Sequence, residues 1–69
     1  MKKIGIVGAG LIGSSWTAIF ASKGFKIYVY DKDRDVFKNF EERVNLYLKE
    51  LKYIDANINI EKSLNLITS

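Results

Sequence analysis

Sixty-nine residues with 48% hydrophobic side chains make one small packed domain and exclude a disordered tail. Eleven basic against eight acidic residues leave a net charge of +3, too mild and too scattered for a nucleic-acid footprint. The chain has no run of eighteen apolar residues for a membrane span, no Cys for a disulfide, and neither Cys nor His for a zinc site.

A domain of this size buries only roughly 60% of its unfolded surface, so every local signal counts. Met1-Lys2-Lys3 followed by "IGIVGAGLIG" imitates a secretory leader. No Ala-x-Ala cleavage site follows, because Ala18 is preceded at two positions by Trp16 and Ala21 by Ile19. With no cysteine, a reducing, cytoplasmic setting is expected.

Lys3 to Val7 reads as a short buried strand on Ile4, Ile6 and Val7. Leu11 to Lys23 reads as a helix whose core face is Ile12, Trp16, Ile19 and Phe20, at i, i+4, i+7 and i+8. Gly24 then stands where a helix end wants a left-handed residue. "FKIYVY" alternates Ile27 and Val29 with Tyr28 and Tyr30 as a second strand. Asp33 suits an N-cap and Asp35 a first turn, opening one long helix to about Ile54. Its apolar seam runs Phe37, Phe40, Val44, Tyr47, Leu51, Ile54, under three heptads, so packing on a sheet is expected before coiled-coil pairing. "IEKSLNL" reads as a short helix with Ile60, Leu64 and Ile67 in line, and "LIT" as the opening of a third strand. No repeat, low-complexity tract or proline-marked linker interrupts the chain. The whole is an α/β chain, part of a doubly wound parallel sheet in the order β-α-β-α with a further short helix.

The chemistry lies between the first strand and the first helix, in "GAGLIG". A bare GxGxxG is weak, but here it leaves an apolar strand, opens an amphipathic helix, and is followed by Asp31 at the end of the next strand. Gly8 permits the tight turn, Gly10 lets a pyrophosphate approach the main chain, and Gly13 brings helix and strand close. Leu11 and Ile12 supply N–H groups with no intrahelical partner, reinforced by the helix dipole, so an anion is held without a basic side chain. Asp31 would accept hydrogen bonds from the adenosine ribose hydroxyls, and its charge favours NAD over NADP. Lys32 and Arg34 are both able to reach a phosphate and keep NADP open, and FAD proteins share the loop. The plain alternatives are a glycine-rich turn without ligand, an Asp31 that only caps a turn, and a non-catalytic interaction or dimerisation fragment that uses the seam from Phe37 to Ile54. Trp16 reads as core.

"VGAGLIGSSWTAIFASKGFKIYVYDKD" resembles the amino-terminal NAD-binding segment of the L-3-hydroxyacyl-CoA dehydrogenases, in the branch of lambda-crystallin and L-gulonate 3-dehydrogenase. The likeness is carried by "GLIG" with Ser15-Trp16, by Phe20-Ala21-Ser22 with Gly24-Phe25, and by Tyr30-Asp31; the charged helix and "LNLITS" extend it over essentially all 69 residues. The resemblance implies an oxidoreductase of fatty acid metabolism that moves hydride between NAD and the 3-hydroxyl of an acyl-CoA or related hydroxy acid. It implies that Gly8, Ala9, Gly10, Leu11, Ile12 and Gly13 hold the pyrophosphate and Asp31 the ribose. The family's catalytic histidine, its orienting glutamate, and its serine and asparagine come later in longer chains. Residues 1–69 are therefore expected to be the first part of the NAD-binding domain, without catalytic residues, substrate domain or metal. A partner segment or self-association is expected to cover the first strand, and 69 residues alone are not expected to be a stable monomer.

Overall fold

The computed structural model describes residues 2–68. Strand β1 (Lys3–Val7) leads through the glycine loop into helix α1 (Leu11–Ser22), and strand β2 (Lys26–Tyr30) follows. A 3-10 segment (Arg34–Asn39) runs into helix α2 (Phe40–Ile54), which is followed by helix α3 (Ile60–Asn65) and strand β3 (Ile67–Thr68). The strands form a parallel sheet in the order β1-β2-β3, with Ile4 beside Ile27, Val7 beside Tyr30, and Ile27 beside Ile67. This is the expected α/β architecture, one wing of a doubly wound sheet, with β1 at an edge of the described sheet. At that edge β1 is not the buried strand expected: Ile4 and Ile6 are half-buried and Val7 is 86% exposed.

The alternation in β2 sets the layers. Ile27 and Val29 are buried together with Ala18, Ala21, Phe40, Val44 and Leu48, so both long helices lie on that face. Tyr28 and Tyr30 emerge on the other face and are exposed.

Helix α1 ends as anticipated at Gly24, whose φ of 91° is left-handed. The Phe25 N–H donates to the Phe20 carbonyl and the Gly24 N–H to that of Ala21, the paired bonds of a Schellman ending. The face that α1 buries is not the one its large residues suggest. Ser14, Thr17, Ala18 and Ala21 are buried, whereas Ile12 is 75% and Trp16 50% exposed. Trp16 is therefore not core; it stacks on Phe20, which in turn meets Phe25 edge-on. Two helices side by side on so small a sheet need close backbones, and small side chains permit that approach where Trp or Ile would hold them apart.

The long second helix also departs from expectation at both ends. Asp33 does cap, its side chain accepting from the Asp35 N–H at 3.0 Å, but the first six residues are wound as 3-10 and the α-helix begins at Phe40. The fully buried line is Phe40, Val44 and Leu48, flanked by Tyr47 and Leu51, while Ile54 is 86% exposed. A straight α-helix drifts by about 20° per heptad from a 3.5-residue seam, which carries Ile54 off the face and Leu48 onto it. The seam is thus occupied within the chain. Helix α3 starts at Asn59, whose side chain accepts from the Lys62 N–H, and β3 opens at Ile67 beside β2.

Candidate functional site

The loop from Gly8 to Gly13 joins β1 to α1 at the carboxyl end of the sheet, where ligands of open α/β sheets gather. Pairing of β1 with β2 continues one residue past the strand, with the Gly8 N–H donating to the Tyr30 carbonyl at 2.7 Å. Gly8 then turns with φ of 111°, a left-handed value that a side chain would strain. Gly13 lies against that turn: a Cβ on Gly13 would stand 1.8 Å from the Gly8 carbonyl oxygen. Backbone conformation requires the glycine at position 8 and packing requires the one at position 13.

Gly10 is different. Its φ of −75° and ψ of −160° suit any residue, and a Cβ there would meet nothing within 4 Å. Gly10 is the N-cap position of α1, and no side chain caps the helix. The N–H groups of Gly10, Leu11 and Ile12 donate to no acceptor among the described residues. With no acidic residue in the first turn, the helix dipole is left uncompensated there.

Ala9 is fully buried, and both of its backbone polar groups are engaged. Its N–H donates to Asp31 Oδ2 at 2.9 Å, across the strand ends. Its carbonyl accepts from Arg43 Nη2 at 2.6 Å and from the Ser14 hydroxyl at 3.2 Å. Arg43 Nε donates to Ser14 Oγ at 3.2 Å, and Nη2 also donates to the Val36 carbonyl at 2.8 Å. Among the described residues Arg43 has no acidic partner, since the ion pair there is Lys38 with Asp35.

Asp31 accepts a second backbone bond at Oδ1, from the Asp33 N–H at 2.9 Å. The Ala9 bond first and the Asp33 bond second hold its carboxyl below the ordinary carboxylate value, aided by Lys32 and opposed by partial desolvation. Each oxygen keeps one lone pair for a further donor. Asp31 lines a cleft of about 490 Å³ with Val29, Tyr30, Lys32, Arg34 and Phe37. The Ala9–Asp31 bond thus brings together glycine loop and carboxylate, far apart in sequence, and both cations that keep NADP open border the cleft beside Asp31.

Two residues of this arrangement have no counterpart in the sequence reading, Ser14 and Arg43. A signal existed for the arginine. Val36, Phe40, Arg43 and Val44 fall at helical spacing on the inward face, and a cation on an apolar stripe needs buried acceptors.

The sequence profile of "3-hydroxyacyl-CoA dehydrogenase, NAD binding domain" matches residues 3–68. Lambda-crystallin homologs of Rattus norvegicus and Homo sapiens are 36% and 35% identical over 66 residues, 91% of this chain and 21% of each relative. Lambda-crystallin of Oryctolagus cuniculus is 34% identical over 67 residues, 93% of this chain. The chain thus spans about a fifth of the length of these relatives. No described helix is long and apolar enough to cross a membrane. Loop, carboxylate, sheet order and matched profile agree: the chain belongs to the NAD-binding domain family of the 3-hydroxyacyl-CoA dehydrogenases.

Proposed function

We propose that residues 1–69 form the adenosine-diphosphate half of an NAD site, the first part of the domain in a 3-hydroxyacyl-CoA dehydrogenase-like oxidoreductase. NAD, when bound, supplies hydride chemistry toward a 3-hydroxyacyl-CoA or related 3-hydroxy acid. This chain's own residues bind and orient. The observation that carries the reading is the glycine the protein does not need: at Gly10 neither backbone nor neighbours exclude a side chain, so the room there serves something from outside. A diphosphate fits that room, because the free N–H groups of Gly10, Leu11 and Ile12 open onto it. Gly8, Ala9 and Gly13 hold the loop's shape, and Asp31 receives the ribose hydroxyls. The cysteine-free composition favours a cytoplasmic, reducing location.

Titration calorimetry with NAD, ADP and NADP tests the reading. Comparable NAD and ADP binding with weaker NADP supports it; absence of nucleotide binding refutes it. Preferred NADP would make Lys32 and Arg34, not Asp31, the residues that set cofactor choice.

A second reading concerns association. Val7 is 86% and Tyr30 64% exposed on neighbouring strands, and β1 has no described partner on its outer side. In this reading that edge and face are covered by further segments of the NAD-binding domain or by a second copy. Sedimentation of the 69-residue chain checks it, with self-association expected and a stable monomer contradicting it.

A further inference from the structure

We infer that Arg43 is a positioning residue for the diphosphate cradle, aiming the Gly10 N–H at the ligand by clamping the Ala9 carbonyl. The inference rests on the NAD reading above. In a trans peptide the carbonyl of one residue and the N–H of the next point in opposite directions. No described peptide is cis, so the Ala9 carbonyl and the Gly10 N–H are two ends of one rigid plane. The carbonyl end is fastened inward by Arg43 Nη2 at 2.6 Å and Ser14 Oγ at 3.2 Å. The N–H end consequently points the opposite way, away from Arg43, with no backbone acceptor among the described residues, and a Cβ on the same residue would find no atom within 4 Å.

The clamp is braced in turn. Ser14 is fully buried on α1 and is oriented by Arg43 Nε, and the guanidinium is anchored to the 3-10 segment through the Val36 carbonyl. Arg43 thereby ties loop, α1 and 3-10 segment with three bonds, to the Ala9 carbonyl, the Ser14 hydroxyl and the Val36 carbonyl, and that hydroxyl passes on a fourth to the Ala9 carbonyl. The preceding plane is fixed independently, by the Ala9 N–H on Asp31. Without Arg43 the Ala9–Gly10 plane keeps only the long Ser14 contact and is free to rotate, so the amide is no longer set in advance for an anion. A guanidinium is suited to this work because its fork donates to several acceptors in fixed geometry.

The test compares Arg43→Met and Arg43→Lys with the native full-length protein, titrated with ADP-ribose and with adenosine, which lacks the diphosphate. A charge-assisted amide bond lost to misorientation lowers ADP-ribose affinity by about tenfold or more in Arg43→Met, with adenosine much less affected. Arg43→Lys, which keeps one donor for the Ala9 carbonyl, recovers affinity to within about threefold of native. Equal loss for both ligands, or no loss, overturns the assignment. The amide spectrum of the native protein decides the matter if the variants fail to fold. On ADP-ribose addition the Gly10 N–H moves strongly downfield and the Ala9 N–H does not; a Gly10 amide that stays in place overturns the inference. Native protein that binds no ADP-ribose overturns the NAD reading itself, a result distinct from binding without selective loss.

Discussion

The Ala9 N–H and the Asp31 carboxylate meet at 2.9 Å although 22 positions separate them in the chain. The bond fastens the glycine loop to the end of the second strand, so the proposed diphosphate cradle and the proposed ribose acceptor are tied to each other directly. Asp31→Asn keeps an acceptor for Ala9 but removes the charge that strengthens ribose binding and repels a 2′-phosphate. NAD affinity is expected to fall about fivefold and the NAD preference over NADP to shrink by about tenfold. Calorimetric titration with both dinucleotides reads this, and an unchanged preference removes Asp31 from the ribose site.

The pH dependence follows from the same two backbone bonds. They lower the Asp31 pKa from its ordinary 3.8, so the ionised form is favoured by folding. Its stabilising contribution is complete above the ordinary value and is lost as pH falls through the still lower folded value. Residues 1–69 contain no histidine, so this part of the site contributes no side chain with an ordinary pKa near neutrality. NAD affinity is expected to be flat between about pH 5 and 8 and to weaken only in stronger acid. A midpoint near neutrality in the binding profile would contradict this.

Gly13→Ala drives a methyl group to 1.8 Å from the Gly8 carbonyl oxygen, a clash with main chain that no rotamer relieves. Overpacking of this kind costs about 1–3 kcal/mol or more, a large part of a small domain's stability. The denaturation midpoint is expected to fall by a corresponding amount, measured in urea by far-ultraviolet circular dichroism. An unchanged midpoint would mean that the helix does not sit on the Gly8 turn.

What the sequence made legible is what local chemistry controls. Strand β1, the Gly24 ending of α1, the Asp33 cap and the opening of β3 at Ile67 all follow from residues within a few positions of one another. The juxtaposition of loop and Asp31 was legible because the doubly wound order brings successive strand ends together. The illegible part depends on which helix lies beside which. Periodicity marked the large residues of α1 as core, yet the close approach of α2 selected Ser14, Thr17, Ala18 and Ala21 and left Trp16 half exposed. The bonds of Arg43 were hidden for the same reason, since its acceptors come from the loop, α1 and the 3-10 segment.

The most direct test of the central claim is Gly10→Ala in the full-length protein, with NAD affinity and thermal stability measured on the same sample. The backbone at Gly10 suits alanine and no protein atom opposes the methyl group, so the melting temperature should hold or rise slightly. NAD affinity should fall by about tenfold or more, because the methyl group occupies the diphosphate's space and masks the free amides. Native stability with native NAD affinity would contradict the account.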